Sequence, residues 1–219
     1  MVRVKEIDER FERQLASFTP SNANRVTFHL GRPSNKVRSA GVADKPIRLY
    51  GNKLMAKMNK HGFRKSEIRG LSKAVRNPIA VFKNKDRNGA YSVLTTLKTR
   101  DGNFLVTLDL GKGGDADLNM ISSIFGKNGV SVVGWINKGY LRYVDKKKAL
   151  HWIEELQPHA ETEQSKKELL DAAKIIKGFD ISKLSNGKIR EQRKISDTPE
   201  EKEKTGRKRL RDYALTFIV

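Results

Sequence analysis

The sequence predicts a chain that mixes α-helices and β-strands, and three observations carry that expectation. Ile7, Phe11, Leu15 and Phe18 recur at helical spacing near the N-terminus. A run of strand-like segments occupies residues 79–125, two of them flanking an Asp101-Gly102 hairpin signal. Hydrophobic residues make up 37% of the chain, with nine Phe, five Tyr and two Trp, which is enough apolar material for a core. A length of 219 residues suits one domain with appendages, or two small domains.

In chain order, residues 3–18 read as an amphipathic helix that ends at Thr19-Pro20. Residues 25–30 alternate Val26, Phe28 and Leu30 with polar residues, as a strand does. The Gly-, Pro-, Ser- and Asn-rich stretch 31–44 reads as a loop or short helix, and 47–50 is a short apolar patch. Residues 53–60 suit a helix with Leu54, Met55 and Met58 on one side. A second helix over 66–75 turns Ile68, Leu71 and Val75 inward and stops at Asn77-Pro78, because the residue before proline disfavours helix. Segments 79–83, 91–99 and 104–110 read as strands, and 119–125 as a fourth. Residues 130–137 suit strand or helix, 139–144 is short, and 146–156 and 161–177 read as helices. From Gly178 onward the chain is polar and charged until 213–219, which turn apolar again.

Charge narrows the function. Lys and Arg total 45 against 25 Asp and Glu, a formal +20, and the isoelectric point is near 10.2. Such a field concentrates polyanions, so nucleic acid, RNA first and DNA second, is the expected partner. An anionic membrane or an acidic protein would answer to the same charge. The excess is uneven: residues 45–89 hold 13 Lys and Arg and two acids, Glu67 and Asp86, which is 13 − 2 = +11. Basic residues interrupted by apolar helical positions suggest one positive face over a buried one. With no cysteine, disulfides, thiolate catalysis and Cys-based zinc sites are excluded. The charged N-terminus has no signal-peptide core, and no apolar run approaches the ~20 residues of a membrane span. A soluble, cytoplasmic chain is the expectation.

Among the four histidines, His29 sits in a strand pattern and reads as structural, while His151 and His159 are spaced wrongly for a paired metal site. His61 lies between two helices, beside a glycine, in the most basic segment. An imidazole there titrates near neutrality and can exchange protons with a ribose hydroxyl or a leaving oxygen. The 111–114 Gly-Lys-Gly-Gly stretch lacks the ending of a phosphate-binding loop and reads as a surface turn. Asp115 and Asp117 have no further carboxylates beside them, which argues against two-metal chemistry. Ser122 and Ser123, followed by Lys127, put hydroxyls and an ammonium where a phosphate can be held. Trp135, Tyr140 and Tyr143 suit base stacking or, more simply, the core.

Read in order, the segments HLGRPSNKVRSAGVADKPIRL, KHGFRKSEIRGLSKAVRNPIAVFK, NMISSIFGKNG and WINKGYLRYVDKKKALHWI resemble the MuF C-terminal domain family of phage and mobile-element polyvalent proteins. That family is placed near the barnase, EndoU, colicin and RelE-like ribonucleases. The resemblance covers about residues 25–180 and implies an α+β fold. N-terminal helices would pack on a small antiparallel sheet of four or five strands, followed by a C-terminal helix and an extended charged tail. It divides the chain into an N-terminal helix (1–24), a ribonuclease-like domain (25–178) and a charged, partly disordered tail (179–219).

The implied activity is metal-independent RNA cleavage of the toxin or effector kind, with no cofactor and an immunity protein as a further partner. The family's His-x-Phe falls on His61 and Phe63, its strand serine on Ser122 or Ser123, and its following lysine on Lys127. The serine strand reads Met-Ile-Ser-Ser rather than Ile-Asn-Ser, which leaves the serine register open, and Leu71-Ser72 stands where Leu-Pro is usual. His61, Ser123 and Lys127 are thus the expected catalytic residues. Lys57, Lys60, Arg64, Lys65, Lys138 and Arg142 are the expected nucleic-acid contacts, with Lys138 or Arg142 assisting Lys127. Two other readings use the same charge without turnover: a binding module, and a structural phage or mobile-element protein.

Overall fold

The computed structural model describes residues 4–84, 87, 89–110 and 118–182. The chain divides into two units, Met1–Phe179 and Asp180–Val219, and all the strands found among the described residues belong to the first. The glycine-rich stretch 111–114, Asp115, Asp117 and the basic tail past residue 182 lie outside the described residues.

Helix α1 (Val4–Ala16) sets its buried Phe11 and Leu15 one turn apart, and Phe11 packs against Phe28 with ring centroids 5.6 Å apart. Phe28 belongs to β1 (Thr27–His29), a strand at the sheet edge. Gln14 of α1 docks on that edge: its Nε2 donates to the Thr27 carbonyl at 2.9 Å, and its Oε1 accepts from the His29 backbone N–H at 3.3 Å. A side chain thus satisfies backbone groups that an edge strand otherwise leaves open. Residues 31–44 contain one short helix, α2 (Asn35–Ser39), capped by the Ser34 side chain. The apolar patch 47–50 forms β2 (Ile47–Tyr50), which runs straight into α3 (Gly51–His61).

The single helix expected over 66–75 is two pieces, a 3-10 turn at Lys65–Ile68 and α4 (Leu71–Arg76). Gly70 between them has φ +76°, a left-handed backbone that breaks helical continuity while Ile68, Leu71 and Val75 all stay buried. The apolar spacing was compatible with one helix; the glycine decided otherwise.

Strands β3 (Ala80–Lys83), β4 (Ala90–Thr99), β5 (Gly102–Leu110) and β6 (Asn119–Lys127) follow. Then come α5 (Gly129–Asn137), β7 (Leu141–Val144), α6 (Lys146–Leu156) and α7 (Glu163–Gly178). The ambiguous 130–137 segment is helical, with the Asn128 side chain accepting from the Val130 N–H at 2.9 Å. Asp145 caps α6 in the same way.

The fold is α+β, and the sheet is larger than expected and mixed. Seven strands take the order β1-β2-β6-β5-β4-β3-β7, and the β2–β6 pair is parallel. The small all-antiparallel sheet is corrected on both counts. The short segments 27–29, 47–50 and 141–144 each add an edge or near-edge strand, and the long connection from β2 to β6 allows the parallel pairing.

Two cores flank the sheet. On one side Phe11, Phe28, Leu54, Leu71, Val81, Val93, Phe104, Val106, Leu108, Ile121 and Ile124 bring α1, α3 and α4 onto the sheet. On the other, α5, α6 and α7 pack on Ala80, Phe82, Leu94, Leu105, Leu141 and Val144. The helices therefore cover both faces rather than one. The second cover is partial, however. Its buried strand residues come from β3, β4, β5 and β7, and none of those described comes from β1, β2 or β6.

Candidate functional site

The sheet face beside α5–α7 that is not roofed by them belongs to β1, β2 and β6, and its register can be traced residue by residue. In β6, Ile121 and Ile124 both point to the first core although they are three positions apart, an odd number. The pairing explains this: Thr107 faces Ser123 while the next residue, Leu108, faces Ile121, so Ser122 is the extra residue of a bulge. After the bulge Ile124 pairs with Val106 on the first core and Phe125 with Leu105 on the second. Ser123, Phe125 and Lys127 therefore share the second face, ~7 Å apart in succession. This separates the two serines. Ser123 lines the open face next to Thr107. Ser122 sits at the bulge, where its Oγ accepts from Arg87 Nη1 at 3.3 Å.

α3 runs on from β2 and lies against β6, which brings His61, the last residue of the helix, onto Phe125. The two rings stack with centroids 5.5 Å apart and 30° between their planes. Burial and the neighbouring cations Lys57 and Lys60 lower the His61 pKa below its ordinary 6.5, and the Asp101 carboxylate opposes them. Asp101 comes from the β4–β5 hairpin. There Gly102 has φ +116° and stands so close to the Lys127 carbonyl that a Cβ would lie 2.4 Å from it. The hairpin tip is thus pressed against the end of β6, and only glycine fits there. His61, Lys57, Lys60, Asp101, Phe125 and Lys127 form one neighbourhood, with Ser123 two residues up the strand.

Other expected residues lie elsewhere. Arg142 is in β7, four strands from β6, and donates to the Gly139 and Leu141 carbonyls at 3.0 and 2.8 Å; Lys138 ends α5 near the same edge. Neither joins Lys127. Lys65 donates to the Ala16 and Phe18 carbonyls, fastening the end of α1, and Arg64 pairs with Glu67 at 3.7 Å. The 45–89 cations do not make one face. Arg76 is buried against Asp8 of α1, and Arg69 pairs with Glu12 at 3.5 Å, so part of the excess ties α4 to α1. Sequence spacing placed these cations outside a core but could not show which acids of α1 they would meet.

The aromatic trio is packing material. Trp135 meets Phe82 edge-on at 5.6 Å, Tyr140 leans on the second core, and Tyr143 on the first, where burial raises its pKa. His151 stands between Glu154 and Glu155 at 3.7 and 3.8 Å. Among the described residues no three His, Asp or Glu side chains gather as a metal site.

Sequence reasoning passed over residues that the fold makes prominent. Phe125 is the shelf for His61. Arg87 pairs with Asp109 beside Ser122, and Asp109 Oδ1 is buried with no hydrogen-bond partner. Arg48 pairs across strands with His29. A period-two reading of Ile47-Arg48-Leu49-Tyr50 was the available signal, since it turns Arg48 and Tyr50 away from the buried Ile47 and Leu49.

With that geometry established, comparison with known proteins places one segment. Residues 52–151 match the family model of the phage MuF C-terminal domain, which supports the MuF family for the stretch from α3 into α6. His61, Ser123 and Lys127 fall inside the match; α1, β1 and β2 precede it. Neither a curated protein nor a solved structure matches the chain. No helix among the described residues is long and apolar enough to cross a membrane.

Proposed function

We propose that this domain binds RNA along the open strip of its sheet and cleaves it without a metal ion, with His61 as general base. The observation that carries the reading is the His61 ring held on Phe125 with its pKa depressed by burial and by Lys57 and Lys60. An imidazole that is neutral at neutral pH and sits among cations can accept a proton next to a bound phosphodiester.

In the proposed step the ribose 2′-hydroxyl gives its proton to His61 and its oxygen bonds to the phosphorus. The bond from phosphorus to the 5′-oxygen breaks, and that oxygen takes a proton from solvent. The products are a 2′,3′-cyclic phosphate and a 5′-hydroxyl. Lys127, with Lys57 or Lys60 in the supporting place first expected of Lys138 or Arg142, offsets charge on the phosphoryl oxygens, and Ser123 donates to one of them. Phe125 orients the imidazole and offers a ring edge to a base. The kinship with metal-independent ribonucleases implied by the sequence motifs belongs to this reading and rises or falls with it.

The test is incubation of the full chain with total RNA in EDTA buffer, with the His61→Ala variant in parallel. Cyclic-phosphate ends produced by the wild type alone, with RNA binding retained by the variant, are the expected result. RNA left uncut by the wild type overturns the catalytic part. Binding without turnover in both proteins then favours the alternative reading, a nucleic-acid-binding module of a phage or mobile element.

A further inference from the structure

A second cationic group lies on the same open face, away from His61 and ahead of the family-matched segment. His29 in β1 and Arg48 in β2 are directly opposite each other across the antiparallel pair. Directly opposed side chains lie ~5 Å apart at Cβ, so the Arg48 charge faces an imidazole that it keeps from taking up a proton. α1 supplies a second arginine. Gln14 is hydrogen-bonded to β1 at Thr27 and His29, which fixes the helix against that strand. Arg10 is one turn earlier, so it lies on the same side of α1 as Gln14.

The three groups sense one another. Arg48 and Arg10 both lower the His29 pKa, after burial, and burial together with Arg10 also lowers that of Arg48. The Tyr50 phenol acts on Arg48 in the opposite sense. No ion pair among the described residues joins Arg10, His29 or Arg48 to a carboxylate. Arg76, Arg69, Arg64 and Arg38, by contrast, each meet one. His29 and Arg48 are half-buried and Arg10 is exposed, and with no acid among the described residues to meet them their mutual repulsion costs folding energy, which a bound anion offsets.

Position says which anion. Arg48 pairs in parallel register with Met120 of β6, and Phe125, the shelf for His61, is five residues further along that strand. With Ser122 taken up in the bulge, the separation is four ladder steps, ~14 Å, along that strand. Between the two ends the same face carries Ser123.

We infer that Arg10, His29 and Arg48 form a subsite for a backbone phosphate of the RNA strand, several nucleotides from the phosphate at His61. This rests on the RNA reading above and adds to it a fixed direction and a minimum length of substrate. Arginine suits the role because its planar fork can hold two phosphate oxygens at once. His29 donates a further hydrogen bond to the same group. A strand too short to reach the subsite is held at His61 alone.

The experiment compares wild type, Arg48→Gln and Arg10→Gln with two non-cleavable oligonucleotides carrying a 2′-deoxy residue at the reacting ribose: a dinucleotide, and a strand long enough to span both sites. The expected result is weaker binding of the long strand by each variant, with the slope of log affinity against log salt shallower by about 1. Dinucleotide affinity and cleavage of a minimal substrate stay as in wild type. Thermal midpoints of the free variants are equal to or above that of wild type, because a like charge has been removed. A residue with a merely structural role would lower the midpoint instead.

If wild type and both variants bind the long strand with equal affinity and slope, the subsite is refuted while the His61 reading stands. If wild type binds neither oligonucleotide, the RNA reading fails and the subsite with it. Inorganic phosphate serves as the control for source. A midpoint raised by phosphate in wild type alone, with no gain in affinity from dinucleotide to long strand, means a free-phosphate site and overturns the proposal. Arg10 is exposed on a helix surface, so Arg10→Gln keeps the test decisive if Arg48→Gln fails to fold.

Discussion

The two halves of one sheet face behave differently. Under α5, α6 and α7, the residues of β3, β4 and β5 facing the helices are Phe82, Ala80, Leu94 and Leu105, all buried. Across the bulge, on β6, β2 and β1, the same face carries Ser123, Phe125, Lys127, Arg48 and His29, all only half-buried. The first core behind both halves is continuous, with Phe28, Leu49, Ile121, Val106 and Val93 in one cluster. One half of the face is thus closed by apolar contact, and the other, apart from Phe125 at the border of the second core, carries half-buried polar and charged side chains. The difference teaches that apolar closure and exposed polar surface are divided along one sheet face, and on the proposed function stability and recognition are divided with them.

Substitutions in the two halves should therefore separate fold from activity. The largest effect is expected from Phe82→Ala, which empties a fully buried site beneath Trp135 and should cost about 3–5 kcal/mol in a denaturant titration. On the open side, His61→Ala should leave that titration nearly unmoved. It should slow RNA cleavage by about 100-fold or more, equivalent to ~2.7 kcal/mol in the barrier, measured by single-turnover kinetics. A cleavage rate equal to wild type would erase the division.

Gly102→Ala lies at the joint between the halves. Its positive φ and the 2.4 Å approach to the Lys127 carbonyl predict a loss of about 1–3 kcal/mol. The displaced hairpin would also carry Asp101 away from His61, so activity should fall in the same variant. Unchanged activity in a destabilised Gly102→Ala protein would show that Asp101 is not needed near the imidazole.

Smaller shifts sharpen the electrostatics. If neutral His61 is the active form, activity falls as pH drops through its pKa, which lies below 6.5 because burial, Lys57 and Lys60 disfavour the charged ring. Lys57→Gln removes one of these cations, so the acid limb of the pH–rate profile should move to higher pH. Asp101→Asn should move it to lower pH, since that carboxylate raises the pKa. Identical limbs in both variants would disconnect the profile from His61.

The smallest effect concerns stability. His29 and His61 both have lowered pKa values in the folded chain, so below about pH 6.5 the unfolded chain binds more protons. Stability contributed by the neutral rings is complete above that value and is lost as pH falls through it. The double substitution His29→Gln with His61→Gln should flatten the acid side of a midpoint-against-pH curve.

Much of this could be read in the sequence. The helix at 4–16 followed from Ile7, Phe11 and Leu15, and the β4–β5 hairpin from Asp101-Gly102; the strand expected over 119–125 stopped short of Lys127, which β6 includes. Lys138 and Arg142 were misplaced because proximity in the chain says nothing about the order of strands. β7 follows β6 closely in sequence yet pairs with β3 at the far edge. The single helix over 66–75 and the small antiparallel sheet failed for related reasons: periodicity tells which side of an element is buried, not what interrupts it or what lies beside it.

The sequence by itself determined the elements, the basic charge and the absence of thiol chemistry, because these depend on local spacing and composition. Only the tertiary structure decided that Phe125 would shelve His61, that Arg69 and Arg76 would meet acids of α1 while Lys65 meets the carbonyls at its end, and that Arg10, His29 and Arg48 would come together with no acid among the described residues. Each of those outcomes depends on which strands and helices become neighbours. That choice is made by the burial of the whole apolar surface at once, and no local pattern encodes it.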